Sequence, residues 1–438
     1  MSEAAAQRIV SELRAAGFQA LFAGGAVRDR LLGVAAKDYD VATDATPEAV
    51  MGLFPRHSAV GAKFGVVLVH LDAASIEVAT FRTDASYRDG RHPEKVAYAT
   101  DPREDVARRD FTINGLLLEP ETGEVLDFVG GRADLDRGLI RAIGDPDRRF
   151  HEDRLRMLRA VRFAARLGFE IEAGTLAAIR AQAAAIVEIS PERIRDELLK
   201  MLTEGHARRA FELLDATKLL PAILPEVAAM RGVEQPPQFH PEGDVWIHTL
   251  LLLEGLKPGC APTLALGALL HDVGKPPTFE RAPDRIRFNN HAAIGARMAA
   301  RICDRLRLAN HEKDAVVALV AEHMKFPELP RMRVSTRKRF LRQPGFDQLL
   351  ELLRLDTLAS HGDLELYKLA RDYQVQLPPE HLRPPRLLTG RDLREMGYRP
   401  GPEFKAILTE VEDAQLEGQL TDPDAARKFV RERHPVPH

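Results

Sequence analysis

Two glycines between an apolar run and a helical run, followed shortly by two aspartates, constrain this chain more than any other feature. The residues are Phe22-Ala23-Gly24-Gly25-Ala26-Val27-Arg28-Asp29 and then Lys37-Asp38-Tyr39-Asp40. The apolar run Phe18 to Phe22 reads as a strand and Ala26 to Leu32 as a helix, which leaves Gly24 and Gly25 at the corner. There, backbone amides and the helix N-terminus can face phosphate oxygens, and Arg28 adds a fixed cationic fork. Asp38 and Asp40 alternate with Tyr39 and Val41. On a strand both carboxylates leave the same face, roughly 6–7 Å apart at their origins. Such a pair can hold two hard cations such as Mg2+. Two-metal phosphoryl transfer needs ions about 3.5–4 Å apart, one activating the attacking hydroxyl and one neutralising the leaving diphosphate. A glycine pair alone is an ordinary turn, and Asp-Tyr-Asp alone an exposed loop. The order strand, Gly-Gly, helix, carboxylate pair is what points to a nucleotide site.

With these residues the chain resembles the nucleotidyltransferases built like DNA polymerase beta. More narrowly, it resembles the second class of bacterial tRNA nucleotidyltransferases, the CCA-adding and poly(A)-polymerase group. Arg108-Arg109-Asp110-Phe111-Thr112-Ile113-Asn114 looks like that family's ribose and phosphate motif. The resemblance implies Arg109 as a nucleotide ligand and Asp110 as its ribose partner, while a salt bridge to Asp105 accounts for Arg108. Ser75 to Arg82 alternates as a strand that can set Glu77 beside Asp38 and Asp40 as a third carboxylate, or leave it as an exposed strand charge. Asp84 to Pro93 is polar and punctuated by Gly and Pro, and reads as a mobile loop near the site. In the resembled family a loop here reshapes the pocket for the final adenosine, and CC-only members lack it.

Glu152-Asp153-Arg154-Leu155-Arg156-Met157-Leu158-Arg159-Ala160-Val161-Arg162 carries the sharpest chemistry. On a helical wheel Arg156 and Arg159 lie centrally on a polar side, Asp153 and Arg162 fall at its borders, and Met157, Leu158 and Val161 point the other way. Cytosine and adenine share an exocyclic amine donor beside a ring-nitrogen acceptor, whereas uracil and guanine reverse that pattern. One carboxylate and one guanidinium, Asp153 and Arg156, therefore select C and A without a nucleic-acid template. The family match at Glu152, Asp153, Arg156, Arg159 and Arg162 supports this reading over an arginine-rich surface helix.

A second constellation comprises His248, His271-Asp272-Val273-Gly274-Lys275, His291, His323 and Asp356, with Asp363 a rival to Asp356. It resembles the HD phosphohydrolase superfamily. Imidazoles with a shared carboxylate suit Mn, Ni, Fe or Zn, and Asp272 can bridge two ions, with Lys275 placed to meet a phosphate. The chemistry expected is hydrolysis of a phosphoester such as a 2′,3′-cyclic phosphate on an RNA end.

At 438 residues the chain exceeds one ordinary core, which predicts two to four domains. The fold class expected is multidomain α+β: a polymerase-beta-like α/β head at 1–148, an all-α neck with the base-selecting helix at 149–232, an HD-type helical domain at 233–368 and a helical tail at 369–438. Within it, Val66 to Leu71 and Ile76 to Phe81 read as strands. Thr112 to Leu118 opens as a helix, and Arg154 to Leu167, Glu192 to Leu202 and Arg208 to Leu219 read as helices. Gln235-Pro236-Pro237 reads as a linker, and the prolines from 377 to 385 as a break before the tail. The tail serves packing or contacts the tRNA elbow.

Two cysteines, Cys260 and Cys303, build no disulfide framework, and no apolar run approaches bilayer length, so a cytoplasmic protein without membrane contact is expected. A net charge of −3 argues against generic polyanion binding. Arginines nevertheless crowd 148–166, and Arg331, Arg333, Arg337, Lys338, Arg339 and Arg342 crowd a second segment that is either a solvated face or an RNA contact. The resemblance implies addition or repair of the 3′-terminal CCA of tRNA from CTP and ATP. A-adding and CC-adding enzymes and poly(A) polymerases share these motifs, and Val60 to Gly65 looks closer to the tRNA-repair branch. A metal phosphohydrolase with an RNA-binding head is the reading from a different class.

Overall fold

The computed structural model describes residues 2–435 except 37, 60, 72, 88–92 and 239. The chain divides into two compact units, Met1–Ala228 and Ala229–His438.

The first unit holds strands β1 (Ala20–Ala23), β2 (Asp40–Thr43), β3 (His57–Ser58), β4 (Val66–Leu71), β5 (Ala74–Thr80), β6 (Arg82–Tyr87), β7 (Pro93–Tyr98), β8 (Leu117–Leu118) and β9 (Val125–Leu126). Seven form a mixed sheet in the order β3-β4-β5-β2-β1-β8-β9. Within that sheet β2 and β5 are the parallel pair, with Asp40 opposite Glu77. In β5, Ile76 and Val78 are buried while Ser75 and Glu77 face out, as a period of two requires. The helix Ser2–Ala15 buries Ala5, Ala6, Ile9, Val10 and Leu13 against β1, β2 and β5. That leaves the opposite sheet face to carry chemistry.

Three expectations change here. Asp38 is not on a strand: β2 begins at Asp40, paired with Ala23. Beyond that pair the backbone of β1 turns away through Gly24 at φ 69, so Asp38 has no ladder partner there. Thr112 to Leu118 is no helix. A 3-10 turn over Thr112–Asn114 gives way to β8, because the fully buried Leu116 and Leu117 lie beside β1. In the segment Asp84 to Pro93 the described residues, 84–87 and 93, belong to a ribbon in which β6 and β7 pair as far as Tyr87 with Pro93. Its tip, residues 88–92, lies outside the described residues, as does Val60.

The neck follows as helices Leu155–Leu167, Ala173–Gln182, Pro191–Thr203 and Ala207–Ala216. The last was expected to reach Leu219. It stops because Lys218 takes a left-handed turn, φ 64, and a short helix Leu219–Ile223 starts afresh.

The second unit packs helices Val245–Glu254, Pro262–Leu270, His291–Arg305, Asn310–Glu322 and Phe346–Ala359 around apolar faces. Two glycines let elements meet: a Cβ on Gly274 would fall 2.1 Å from the His291 carbonyl oxygen and 2.6 Å from the Gly295 nitrogen. Gln235-Pro236-Pro237 is not an open linker. Gln235 is buried, its N–H donates to Gly243 O at 2.8 Å, and Glu234 bridges to Asp244. The tail has its own small core, including Leu393, Tyr398, Ile407, Val411 and Val430. The second basic cluster serves that tail: Lys338 Nζ donates to Leu416 O at 2.8 Å, and Arg339 and Arg342 both hold Glu412. Arg337 stacks 4.2 Å over Tyr373, and Arg331 and Arg333 stay exposed. Among the described residues no helix is long and apolar enough to cross a membrane.

Candidate nucleotide and metal sites

In the first unit a cleft of about 860 Å³ gathers all the residues singled out for nucleotide chemistry. Gly25, Arg28, Asp38, Asp40, Arg109, Asp110, Asp153, Arg156, Arg159 and Arg162 line it, and Glu77 joins them through its register with Asp40. The corner is tight. A Cβ on Gly24 would lie 3.3 Å from Arg109 Nη1 and 3.8 Å from Asp40 Oδ2, so the glycine lets a cation and an anion close on the backbone. Burial, and then the charge of Glu77, push the Asp40 carboxyl up to about 6. This excess negative charge fits a divalent cation, although the head carboxylates do not gather as closely as the histidine cluster described below.

Most of the arginines are already anchored. Arg28 is 2% exposed and donates to Asp29 Oδ1 through Nε and Nη2, and to Asn114 Oδ1 at 2.6 Å. Burial lowers its guanidinium pKa, with Asp29 opposing. Asp105 grips both Arg108 and Arg109. Burial alone would raise Asp105, but the two guanidiniums hold its carboxyl below the usual range. Asp110 accepts from Arg159, from Asn114 Nδ2 and from the Phe111 N–H. These outweigh its burial, and it too lies low. Arg28, Arg159 and Arg162 surround the Phe163 ring at 5.3, 5.2 and 4.4 Å.

The pair expected to select the base differs from the helical wheel in one respect. Asp153 is not on the helix with Arg156. It is extended, φ −148, and closes the preceding helix Pro146–Glu152, while the next begins at Leu155. Its Oδ1 accepts from the Leu155 N–H at 3.0 Å. Arg193 then straddles it, Nη1 to Oδ1 at 3.3 Å and Nη2 to Oδ2 at 2.8 Å. Arg156 donates to Glu152, Arg149 O and Arg108 O, which leaves its Nε–H and one Nη2–H available. Arg162, expected at a border, is 6% exposed and bound to Glu197 at 2.6 Å. Arg193 and Glu197 were absent from the sequence-based site, and Asn114, though inside the quoted motif, had no role assigned there. The first two sit at i and i+4 on Pro191–Thr203, a helix legible only by its apolar face.

In the second unit the histidine constellation assembles beside a cavity of about 690 Å³. Two groups share Asp272: His248, His271 and Asp272, and Asp272, His291 and His323. Within each group the ligand atoms lie within 4.8 Å of one another. Asp272 Oδ2 is 3.2 Å from His271 Nε2, and Oδ1 is 3.6 and 3.8 Å from His291 and His323 Nε2. Asp356 Oδ1 lies 3.0 Å from His248 Nε2, whereas Asp363 lines the wider cavity and accepts from the Glu365 N–H. Lys275 Nζ rests 2.7 Å from Asp272 Oδ2 and 2.6 Å from Gln235 Oε1.

Burial opposes charge on His248, yet Asp356 and Glu242 raise it to about 9, while burial and His271 lower His323 to about 4. Converging Nε2 atoms and buried carboxylates fit divalent transition ions by donor chemistry. Glu242, His240 and Gln235, all close to this cluster, were not foreseen, since they lie on the stretch read as linker and beyond it.

Three family matches follow the chain: Poly A polymerase head domain over 20–141, the probable RNA and SrmB binding site of polymerase A over 168–231, and HD domain over 245–353. The CCA-adding enzyme of Bacillus pumilus is 46% identical over 211 residues, 48% of this chain and 52% of the relative. The chain thus spans about half the length of several curated relatives it matches. That of Levilactobacillus brevis is 32% identical over 424 residues, 96% of this chain and 95% of the relative. The solved structure of the Bacillus stearothermophilus CCA-adding enzyme in complex with CTP is 28% identical, with a TM-score of 0.76 over 98% of this chain and 96% of that one. An alignment that runs nearly end to end, over a fold that superposes equally far, places this chain in the CCA-adding enzyme family.

Proposed function

We propose that this chain is a template-independent tRNA nucleotidyltransferase that adds or repairs the 3′-terminal CCA from CTP and ATP. One observation carries the reading: a single cleft contains both the carboxylates suited to phosphoryl transfer and a carboxylate–guanidinium pair complementary to C and A. Asp38 and Asp40, with Glu77 adjacent, would hold Mg2+, which when bound would supply positive charge to acidify the 3′-hydroxyl and balance the departing diphosphate. Gly25, Arg28 and Arg109 hold the triphosphate, and Asp110 orients the ribose. The free lone pair on Asp153 Oδ2 accepts from the exocyclic amine, and the spare N–H groups of Arg156 donate to the ring nitrogen. Arg159 and Arg162 stiffen that wall through Asp110 and Glu197. The 3′-hydroxyl attacks the α-phosphate in line and diphosphate departs.

The boundaries that fit this division of labour are a nucleotidyltransferase head at 1–148, an RNA-binding neck at 149–232, a metal-dependent hydrolase-like domain at 233–368 and a tail at 369–438. A cytoplasmic site of action suits the two cysteines. The test is incubation with tRNAs ending before CCA, after C and after CC, with CTP and ATP separately and then together. Extension of all three to CCA and no further is the expected result. Extension of only some of them assigns an A-adding or CC-adding enzyme, and continued adenylation assigns a poly(A) polymerase.

A second activity is favoured by the shared Asp272 between two imidazole groups. We infer that this set holds Mn, Ni, Fe or Zn ions and hydrolyses phosphoesters at RNA ends, with Lys275 meeting the phosphate. Such ions supply Lewis acidity for attack by water. Metal analysis of the purified chain, together with hydrolysis of a 2′,3′-cyclic phosphate, checks it. Absence of both leaves the domain structural.

A further inference from the structure

We propose that Glu242 is a positioning residue that sets the metal affinity of one half of the histidine cluster and not the other. The inference rests on the metal reading just given. Three of the four imidazoles are oriented alike. His271, His291 and His323 each place Nδ1 against a backbone carbonyl three residues back: Ala268 O at 2.8 Å, Phe288 O at 2.9 Å and Val320 O at 2.7 Å. Each thereby aims Nε2 at the cluster.

His248 has a different support. Its Nδ1 makes an ion-pair contact with Glu242 Oε1 at 2.7 Å, off the line of a hydrogen bond, and His240 Nδ1 approaches the same oxygen at 2.9 Å. The Glu242 side chain is only 6% exposed, so this carboxylate is turned inward. Its Oε2 is buried and has no hydrogen-bond partner among the described residues. The segment is pinned, since Glu234 bridges to Asp244 and the Gln235 N–H donates to Gly243 O. Burying a carboxylate with one oxygen unmatched is costly, and the imidazole contacts it makes are what that arrangement gains.

A carboxylate behind a ligating imidazole fixes the ring and raises its basicity more than a neutral carbonyl does. His248 belongs to the group with His271 and Asp272, and Asp356 meets its Nε2 from the other side. The second group, Asp272, His291 and His323, relies on main-chain support for its imidazoles. Loss of Glu242 therefore unbalances the two groups.

Mn2+ uptake by the full chain tests this, read as ions bound per chain and the affinity of each by calorimetry and elemental analysis. Wild type is expected to bind two. Glu242→Ala should weaken one ion by about 10–100-fold and leave the other unchanged. Glu242→Gln, which keeps volume and an acceptor but not the charge, should fall between. In the His291→Ala background, Glu242→Ala should weaken the ion that remains by about the same 10–100-fold. Equal weakening of both ions, or of neither, overturns the assignment while leaving the metal reading intact. A wild-type chain that takes up no Mn2+ overturns both.

Discussion

Asp153 meets Arg193 across an inter-helix gap, and in the proposed function that contact governs how well the carboxylate would read a base. With both oxygens engaged by Arg193 and one by the Leu155 N–H, its direction is fixed before any nucleotide arrives. Asp153→Ala is expected to cost about 1–3 kcal/mol of discrimination against UTP and GTP in primer extension, with triphosphate binding largely kept, because Arg28 and Arg109 lie elsewhere in the cleft. Arg193→Ala should relax the same discrimination. The double variant should add little beyond the singles, since both act on one carboxylate. Unchanged base preference in Asp153→Ala would refute the base-reading role. Glu197 makes a different prediction. It is 3% exposed and neutralises Arg162, so Glu197→Ala strands a buried guanidinium and should destabilise the first unit by about 3–5 kcal/mol, seen in urea unfolding. Asp153 and Arg162 were singled out by residue type and motif, although the helical wheel misplaced both. Arg193 and Glu197 were not, because a partner some 35–40 residues away is chosen by how two helices pack, which periodicity does not encode.

The head's elements were legible where burial alone decides them. β4 declares itself as an apolar run from Val66 to Val69 and the core of β5 by the alternation of Ile76 and Val78, which also put Glu77 on the outward face. What it left open was the neighbour of Glu77, and the parallel pairing of β2 with β5 supplies Asp40. The misread stretch, Thr112 to Leu118, shows tertiary pairing overriding a helical pattern, because Leu117 is worth more beside Ala23 than in an isolated turn. The short helix Pro102–Ala107 shows how an element can preorganise a site electrostatically. Its Asp105, 1% exposed, aligns Arg108 and Arg109 at the next turn. Because its folded pKa is depressed, Asp105 contributes stability that is complete above the ordinary aspartate value of about 3.9 and lost as pH falls through the lower folded value. The first unit should therefore lose stability steeply below about pH 4, and Asp105→Asn should flatten that acid limb while lowering stability at neutral pH. Urea midpoints between pH 6 and 3 check both, and an unchanged acid limb would show that other carboxylates carry it.

For the molecule as a whole, charge explains why composition said so little about partners. The net charge is only −3, and the crowded arginines are largely spent inside the fold: Arg154 on Glu188, Arg159 on Asp110, Arg162 on Glu197, Arg339 and Arg342 on Glu412. Sequence reading located the basic runs but not their acidic partners. The two candidate sites lie in different compact units, each lined among the described residues only by that unit's own side chains. They should therefore be separable by single substitutions. Asp40→Ala removes one of the two carboxylates proposed to hold Mg2+, and should lower nucleotidyl transfer by several kcal/mol, about 10³-fold or more, while leaving metal uptake by the histidine cluster intact. His271→Ala removes an imidazole that lies between His248 and Asp272, and should abolish phosphoester hydrolysis and reduce bound transition metal while transfer continues at the wild-type rate. Measuring both activities and the metal content in both variants gives four activity values and two stoichiometries. Reciprocal loss supports two independent sites on one chain. Loss of transfer in His271→Ala, with the fold retained by circular dichroism, would instead mean that the histidine cluster acts on the head, and the assignment of separate chemistries would fail.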